Sequence, residues 1–451
     1  MKTKAVKISE KLSSVQIIVL YYVISVIIST ILIMLPITLK ECAEISLVDA
    51  LFTAASAVSV TGLSTIAINE VLSVPGTFIF AFILQFGGIG VMTLGTFVWL
   101  LMGKKIGLRE RKLIMTDQNQ STLSGLVQLM KQILYLILTI EAIGAVILGL
   151  YFLKYFPTWQ EAFLQGFFAS VSATTNAGFD ITGSSLIPFA QDYFVQLINI
   201  VLLIIGAIGF PVLIELREFI TYKGESKFRF SLFTKITTLT FFALVVLGTM
   251  AIALFEYHHF FIGKSWHESF FYALFQSVST RNGGLATMHV SEFSIPTLIV
   301  LCILMFIGAS PSSVGGGIRT TTFAIMILSI YTYARGRNTI KIFHREVMQE
   351  DVIKSYIVIT TAIMICSVSV ILLCFIEPTF SLMEIMFEVS SAFGTTGLSM
   401  GITADLSTTG KTIIILLMFI GRIGIFSFLF LIRGNPTQEK YHYPQEKIII
   451  G

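Results

Sequence analysis

Four short stretches of the chain each end at a glycine and have a composition suited to binding a cation through the backbone. The glycines are Gly62, Gly178, Gly284 and Gly397, and the intervals between them are 116, 106 and 113 residues. Glycine reaches positive φ at little cost, so such a stretch can aim successive carbonyl groups in one direction. A ring of carbonyl oxygens can replace the water around a desolvated cation. Four such stretches could therefore supply the four walls of a cation filter.

Each stretch taken alone is also typical of an ordinary turn, but four copies at a roughly constant period indicate one structural unit used four times. The residues that we expect to line the filter and hold a cation, mainly through backbone carbonyls, are Val60, Thr61, Gly62, Asn176, Ala177, Gly178, Asn282, Gly283, Gly284, Thr395, Thr396 and Gly397. Arg281 lies within the third stretch, where a guanidinium group facing the pore would repel a cation. We therefore expect its side chain to point away from the pore axis and to brace the loop.

The composition places these stretches in a membrane protein. Of the 451 residues, 55% are hydrophobic and only 12% are charged, whereas soluble domains carry about 25% charged residues. We predict an all-α polytopic membrane protein without a domain-sized soluble part. An enzyme is disfavoured, because the sequence from His267 to Phe271 begins like the zinc motif HExxH but lacks its second histidine.

Apolar segments surround each glycine stretch in the same order. The first is long enough to cross the membrane, which takes about 20 residues. The second has about ten residues and, as a helix, covers roughly 15 Å, about half of the bilayer core. The glycine stretch and another apolar segment complete the unit. We therefore predict four repeats of helix, re-entrant half-helix, filter loop and helix around a pseudo-fourfold pore, with eight spanning segments.

The predicted boundaries follow from these segments. Residues 1–14 form the N-terminus, 15–103 repeat 1, 104–222 repeat 2 with its preceding loop, 223–340 repeat 3, 341–433 repeat 4 and 434–451 the C-terminal tail. The last segments of repeats 2 and 4, residues 193–214 and 412–432, are each expected to span the membrane. Of the 30 lysines and arginines, 23 fall on the side that holds both termini, and the positive-inside rule makes that side cytoplasmic. The half-helices then point their partly negative C-termini inward from outside, which favours a cation.

Residues 308–322 interrupt the last segment of repeat 3 with a density of glycine, proline and serine that breaks a helix. The spacing puts this break in mid-membrane, below the filter. A structural kink and a mobile gate both fit the composition; we favour the gate because unwound intramembrane backbone recurs at transport sites. The gate residues that we expect are Gly308, Ser310, Ser312, Ser313, Gly315, Gly316, Gly317, Thr320 and Arg422.

Arg422 lies in the middle of the last apolar segment. A charge at the centre of a membrane helix costs roughly 2.5–3.5 kcal/mol, so the side chain should face the protein interior or water. Two interpretations remain open. In one, Arg422 is a positive barrier and gate partner that donates hydrogen bonds to loop carbonyls. In the other, it forms a structural ion pair with Glu141 or Glu215.

The four filter stretches, the break at residues 308–322 and Arg422 together resemble the Trk/Ktr/HKT superfamily of potassium transporters, most closely its Ktr membrane subunit, over nearly the whole chain. The resemblance implies a potassium-selective uptake pore in a bacterial plasma membrane, coupled to Na+ in many members. In this superfamily a serine in the first filter accompanies sodium permeation, so Gly62 favours potassium. A secondary transporter of another cation or small solute is the alternative.

The resemblance also implies partners that this chain does not encode. We expect a homodimer on a cytosolic ring of Rossmann-type (RCK) regulatory subunits that bind a nucleotide, with membrane lipid around it, no nucleic acid and no covalent cofactor. The basic loops and the tail at residues 441–451 are expected to dock this ring. Loosening the gate should raise maximal flux and leave the apparent potassium affinity nearly unchanged, because the filter is untouched.

Overall fold

The computed structural model describes residues 14–41, 43–90, 126–224 and 228–432, together with positions 443, 444, 446, 448 and 449. Its helices are α1 (Ser14–Ile33), α2 (Leu47–Ser59), α3 (Ile68–Val71), α4 (Val74–Ile89), α5 (Leu126–Phe152), α6 (Trp159–Thr174), α7 (Tyr193–Ala207), α8 (Phe210–Thr221), α9 (Leu232–Glu256), α10 (Trp266–Ser279), α11 (Ile295–Phe306), α12 (Thr320–Ala334), α13 (Gln349–Ile376), α14 (Leu382–Gly394), α15 (Thr408–Ile423) and α16 (Ile425–Ile432). The basic residues at 2–11 and 104–112 and most of the C-terminal tail lie outside the described residues.

The helices repeat four times in the predicted order. A long first helix (α1, α5, α9 or α13) is followed by a short re-entrant helix (α2, α6, α10 or α14), a glycine loop and a second helix (α4, α7, α11 or α15). The sequence predicts the half-helices at residues 49–59, 161–172, 266–278 and 380–391, and each of these ranges matches a re-entrant helix to within three residues at either end. The predicted all-α membrane fold is confirmed. A two-stranded antiparallel hairpin, β1 (Lys341–Ile342) and β2 (Arg345–Glu346), adds to it.

The re-entrant helices begin at the same local signal in all four repeats. A serine or threonine precedes the helix, and its side chain accepts a hydrogen bond from the backbone of an acidic residue three positions later; the pairs are Ser46–Asp49, Thr158–Glu161, Ser265–Glu268 and Ser381–Glu384. Such caps satisfy amide groups that a helix start leaves free. The acidic residue also complements the positive end of the helix dipole. The four pairs are visible in the chain, although we did not predict this capping pattern from it.

In repeats 2, 3 and 4, a hydrogen-bonded latch ties the end of the first helix to the start of the second. In repeats 3 and 4 it is a carboxylate at the end of the first helix: Glu256 accepts from the Ser294 amide at 2.9 Å, and Glu377 accepts from the Ser407 amide at 2.8 Å. In repeat 2 the direction is reversed, because Tyr151 and Tyr155 donate to Asp192, the residue that caps α7. These latches fix how far apart the two helices stand where the re-entrant helix enters.

The second helices of repeats 2 and 4 are bent, a feature that our prediction of spans at residues 193–214 and 412–432 did not include. Helices α7 and α8 meet at 106°, and α15 and α16 meet at 105°. The breaks fall at Gly209 (φ 101°, ψ 132°) and Gly424 (φ 81°, ψ 151°), and α4 ends at Gly90 with a similar conformation (φ 95°, ψ 133°). Glycine allows these positive φ values. Among the described residues, four helices are long and apolar enough to cross a membrane unbroken, or six spans if each bent pair is one span.

Large aromatic residues fill the space behind the re-entrant helices. Phe52, Phe168, Phe275 and Phe387, one from each re-entrant helix, are fully buried. The Phe80 ring of α4 stacks on Phe168 at 6.3 Å between centroids, which joins repeat 1 to repeat 2. The aromatic packing holds the loops that follow these helices at a fixed depth.

Candidate functional site

The filter loops have an unusual backbone at two positions in every repeat. The residue two positions before the glycine has positive φ in all four: Val60 (57°), Asn176 (51°), Asn282 (67°) and Thr395 (51°). The four filter glycines also have positive φ, at 99°, 69°, 68° and 93° in chain order. A β-branched residue such as valine or threonine in this region is a true outlier. Strain of this kind concentrates at functional sites.

The four filter glycines meet in a closed ring. A Cβ built on Gly62 would lie 2.6 Å from the Ala177 carbonyl oxygen and 3.0 Å from the Gly178 Cα. The same construction on Gly178 reaches the Gly284 Cα at 2.9 Å, and on Gly284 it reaches the Gly397 Cα at 3.4 Å.

The ring closes from the fourth repeat to the first. A Cβ built on Gly397 would lie 2.9 Å from the Gly62 Cα and would collide with the Thr61 carbonyl oxygen. Each glycine therefore touches the next repeat in cyclic order, and any side chain larger than hydrogen would push two repeats apart. Main-chain carbonyls of Thr61, Ala177 and Thr396 lie at these contacts.

Serines within the re-entrant helices hold the loops in shape. The Gly62 amide donates to Ser56 Oγ, and the Gly397 amide donates to Ser391 Oγ, both at 3.1 Å. In repeat 2 the Ser172 hydroxyl donates to the Phe179 carbonyl at 2.5 Å. These hydrogen bonds tie the loops of repeats 1, 2 and 4 to the ends of their own helices.

Asn282 connects the third filter loop to the fourth. Its side-chain amide donates to the Thr395 carbonyl at 3.0 Å, to Thr395 Oγ1 at 2.9 Å and to the Gly394 carbonyl. Arg281, beside it, is 1% exposed and donates to the Leu304 carbonyl in α11. The guanidinium group thus braces the loop against a helix of its own repeat, as expected. Its Nε and Nη1 atoms find no hydrogen-bond partner among the described residues.

The irregular segment of repeat 3 lies directly against the filter. We call residues 307–319, between α11 and α12, the intramembrane loop; most of it is buried. A Cβ on Gly316 would lie 2.7 Å from Thr395 Oγ1, and one on Gly315 would collide with the side chain of Asn282. The loop therefore covers the end of the filter at which the re-entrant helices stop.

The loop also caps the broken helices of repeats 2 and 4. The Ser310 and Val314 amides donate to the Ala207 and Gly206 carbonyls at 3.1 and 3.2 Å, and the Gly317 amide donates to the Gly421 carbonyl at 3.2 Å. The last four carbonyls of a helix have no partner within it. The breaks thus expose acceptors in mid-membrane, and the loop supplies the donors that such a position requires.

The predicted serines and threonine mostly stabilise the loop from within. The Ser313 hydroxyl donates to the Ser310 carbonyl at 2.6 Å, and the Thr320 hydroxyl donates to Ser310 Oγ at 3.2 Å. The Ser312 carbonyl accepts from the Phe210 amide of α8 at 2.8 Å. Gly308 faces Gly316 so closely that a Cβ on Gly308 would collide with the Gly316 carbonyl.

Arg422 binds one carbonyl group of the loop and one of α4. Its guanidinium group donates to the Val314 carbonyl of the loop and to the Gly87 carbonyl of α4. The two carboxylates considered as ion-pair partners bond elsewhere: Glu141 accepts from Gln85, and Glu215 accepts from the Ser231 amide at 3.2 Å. These contacts favour the interpretation of Arg422 as a partner of the loop.

A second arginine, Arg319, lies in the same region and was not among the predicted gate residues. Arg319 donates to the Gly315 carbonyl and, at 3.5 Å, to the Ser310 carbonyl. It is close enough to Arg422 for the two positive charges to interact. The signal was available, because Arg319 is a charge within an otherwise uncharged stretch from Phe293 to Ala334.

The fold and this site define a class: a membrane protein in which four re-entrant segments of one chain close a ring, with a positively charged loop beneath it. The chain matches the model of the TrkH family, described as a cation transport protein, over residues 2–442. It belongs to this family, which confirms the resemblance to the Trk/Ktr/HKT superfamily and makes the chain a transport protein and not an enzyme.

Relatives of the chain match it over nearly their whole length. It is 56% identical over 451 residues to the Ktr system potassium uptake protein D of Bacillus subtilis, covering 100% of both chains. It is 33% identical over 443 residues to the Ktr system potassium uptake protein B of that organism, covering 97% and 96%. Identity to the potassium/sodium uptake protein NtpJ of Enterococcus hirae is 32% over 451 residues, covering 99% of both.

A solved structure shares the fold. The potassium transporter TrkH from Vibrio parahaemolyticus superimposes with a TM-score of 0.73 at 22% identity, covering 94% of this chain and 85% of the other.

Proposed function

We propose that this chain is a potassium uptake protein whose ion passes through the ring formed by Gly62, Gly178, Gly284 and Gly397. The observation that carries the proposal is the closed cyclic order of these glycines, each in contact with the next repeat. Relatives with matching length are named potassium uptake proteins. Backbone carbonyls of the twelve predicted filter residues supply the ligands, as in other filters that replace the hydration shell of a cation.

The electrostatics of the ring support a cation. Four re-entrant helices end at the filter loops, and the C-terminal end of a helix carries about half a negative charge. The side chains at the ring are uncharged except for Arg281, which bonds to α11. The site therefore attracts a cation without binding it through a carboxylate, which suits an ion that must also leave.

We propose further that the intramembrane loop is the gate. Its amides cap helices of repeats 2 and 4, and Arg422 joins it to repeat 1. A segment held by many single hydrogen bonds can have two arrangements that differ by only a few kcal/mol, as a switch requires. Two guanidinium groups beneath the filter would raise the barrier to a cation while the loop is in place.

The decisive experiment is ion flux in proteoliposomes that contain the purified protein. Rubidium serves as the tracer for potassium, and the sodium gradient and the membrane potential are set independently. Rubidium uptake that follows its own gradient and the potential supports the proposal. No rubidium flux, or flux of a labelled organic solute instead, contradicts it and favours the secondary transporter of another solute.

Sodium coupling is a second candidate, because one relative is named a potassium/sodium uptake protein. The same assay decides it. If Na+ is a coupling ion, an inward sodium gradient should drive rubidium uptake against a rubidium gradient at zero potential. If Na+ is not coupled, the sodium gradient should leave rubidium uptake unchanged.

We propose that the chain works as a homodimer in a bacterial plasma membrane, with both termini cytoplasmic, on an RCK ring that binds a nucleotide. The support is the family, the "Ktr system" names of its relatives and the one-sided placement of basic residues. Deletion of residues 441–451 should weaken the dimer, the docking or both. Native mass spectrometry of the purified complex with its lipids measures both; unchanged dimer and partner binding would contradict this role of the tail.

A further inference from the structure

The first and fourth filter loops have the same backbone but differ in one side chain. Val60 has φ 57° and ψ 51°, and Thr395 has φ 51° and ψ 49°. Each amide donates to a carbonyl three residues earlier at 3.2 Å, and each following residue donates to a serine carbonyl at 2.9 Å. Since the filter of repeat 1 is built with valine here, a hydroxyl at this position is not required by the filter backbone.

The Thr395 hydroxyl instead faces the intramembrane loop. Its oxygen accepts from the Gly316 amide at 2.8 Å and from Asn282 Nδ2 at 2.9 Å, and all three residues are buried. Gly316 can approach only because it lacks a side chain, since a Cβ there would lie 2.7 Å from this oxygen. Val60 occupies the same place in repeat 1 and packs its methyl group against Gly87.

We propose that Thr395 is the positioning residue that holds the intramembrane loop closed, with Asn282 orienting its hydroxyl group. This inference rests on the proposed gate. In the closed state the Gly316 amide is buried, and a buried amide without a partner is strongly disfavoured. When the loop withdraws, the amide can bond to water instead. Removing the hydroxyl therefore destabilises the closed state more than the open one, and the equilibrium shifts toward open.

The test compares Thr395→Val with the wild-type protein by rubidium uptake into proteoliposomes. Valine has the shape of threonine and is accepted at Val60, so the filter should remain intact. We expect the maximal rate to rise by up to about tenfold, which corresponds to about 1.4 kcal/mol, at an unchanged KM and unchanged discrimination against sodium. Thr395→Ser keeps the hydroxyl and should raise the rate less than Thr395→Val does. Thr395→Ala is a second variant without the hydroxyl, should valine fail to yield folded protein.

A deletion in the intramembrane loop tests whether Thr395 acts through the loop or through the filter. In a variant that lacks residues 315–317, the loop's donor to Thr395, the Gly316 amide, is absent, so Thr395→Val should not raise the rate further. A maximal rate at or below wild type in both hydroxyl-free variants overturns the inference. So does a raised KM with lost sodium discrimination, which would place Thr395 in the filter alone. If the wild-type protein carries no rubidium, the proposed function is contradicted. That result differs from the results above, which contradict only the role of Thr395.

Discussion

Gly397 and Gly401 show how differently two glycines of one loop can be used. Their φ values are 93° and 100°, so a side chain strains the backbone at either position. A Cβ at Gly397 would collide with the Thr61 carbonyl, whereas a Cβ at Gly401 would meet nothing within 4 Å. The pair therefore separates the effect of backbone strain from the effect of ring closure.

We predict that Gly397→Ala abolishes discrimination between rubidium and sodium, because the added methyl group pushes repeats 1 and 4 apart. Gly401→Ala is the matched control, with a strain of about 1 kcal/mol and wild-type selectivity. Flux of both ions in proteoliposomes measures the effect. Equal selectivity in the two variants would mean that the glycine ring does not discriminate between ions.

Arg422 provides a second test at the scale of one residue. Its guanidinium group bridges the Val314 and Gly87 carbonyls, and a lysine cannot reproduce this planar fork. We predict that Arg422→Ala raises maximal rubidium flux several-fold at an unchanged KM. Arg422→Lys keeps the charge but loses the fork, and its maximal flux should lie between those of the wild type and Arg422→Ala. Flux at the wild-type level in both variants, with normal protein yield, would contradict the gate role.

Among the elements, the latch of repeat 2 has a pH dependence that can be measured. Burial alone would raise the pKa of Asp192, but hydrogen bonds from Tyr155, Tyr151 and the amides of α7 lower it below its ordinary value. The hydrogen bond between Tyr155 and Asp192 raises the pKa of Tyr155 to about 12. A carboxyl group with a lowered folded-state pKa stabilises the fold above its unfolded pKa of about 3.9. This stabilisation is lost as the pH falls through the folded-state value.

We predict that Asp192→Asn loses less stability than wild type as the pH falls from about 5 to about 2. Asparagine still caps α7, so the variant removes the charge and keeps the local geometry. Thermal unfolding in detergent at each pH measures the difference. An Asp192→Asn curve parallel to wild type would show that the latch does not titrate.

At the scale of the whole molecule, the ring must close between its first and last repeats. Asp49 at the start of α2 pairs with Lys411 at the start of α15 at 2.9 Å, across 362 residues of sequence. Both side chains are largely shielded, at 24% and 13% exposure. The pair Lys354–Glu350 is local to one helix and far more exposed.

We predict that Lys411→Met lowers the free energy of unfolding by about 1 kcal/mol, near the upper end for a pair at a protein surface. Lys354→Met should change it less. The charge-swapped protein with Asp49→Lys and Lys411→Asp should recover part of the loss, which the unfolding midpoint in detergent would report. No recovery on swapping would mean that Lys411 acts through packing and not through its charge.

Much of this structure could be predicted from the sequence, because the features concerned depend on interactions between residues close together in the chain. Long apolar segments identify membrane helices through their transfer free energy. Glycines at positive φ mark the filter loops because few other residues adopt that backbone. The density of glycine and serine at residues 308–322 marked the intramembrane loop, and the structure places irregular backbone at 307–319.

Contacts between residues distant in sequence could not be predicted from the chain. The breaks at Gly209 and Gly424 lie in segments whose hydropathy is continuous, because a bend in mid-membrane depends on whether another part of the chain can bond to the exposed carbonyls. The intramembrane loop does so from about 100 residues away on either side. The partner of Arg422 and the contact between Thr395 and Gly316 also depend on where the intramembrane loop packs. Sequence determines which residues can form a ring and a loop, and packing of the four repeats determines which of them touch.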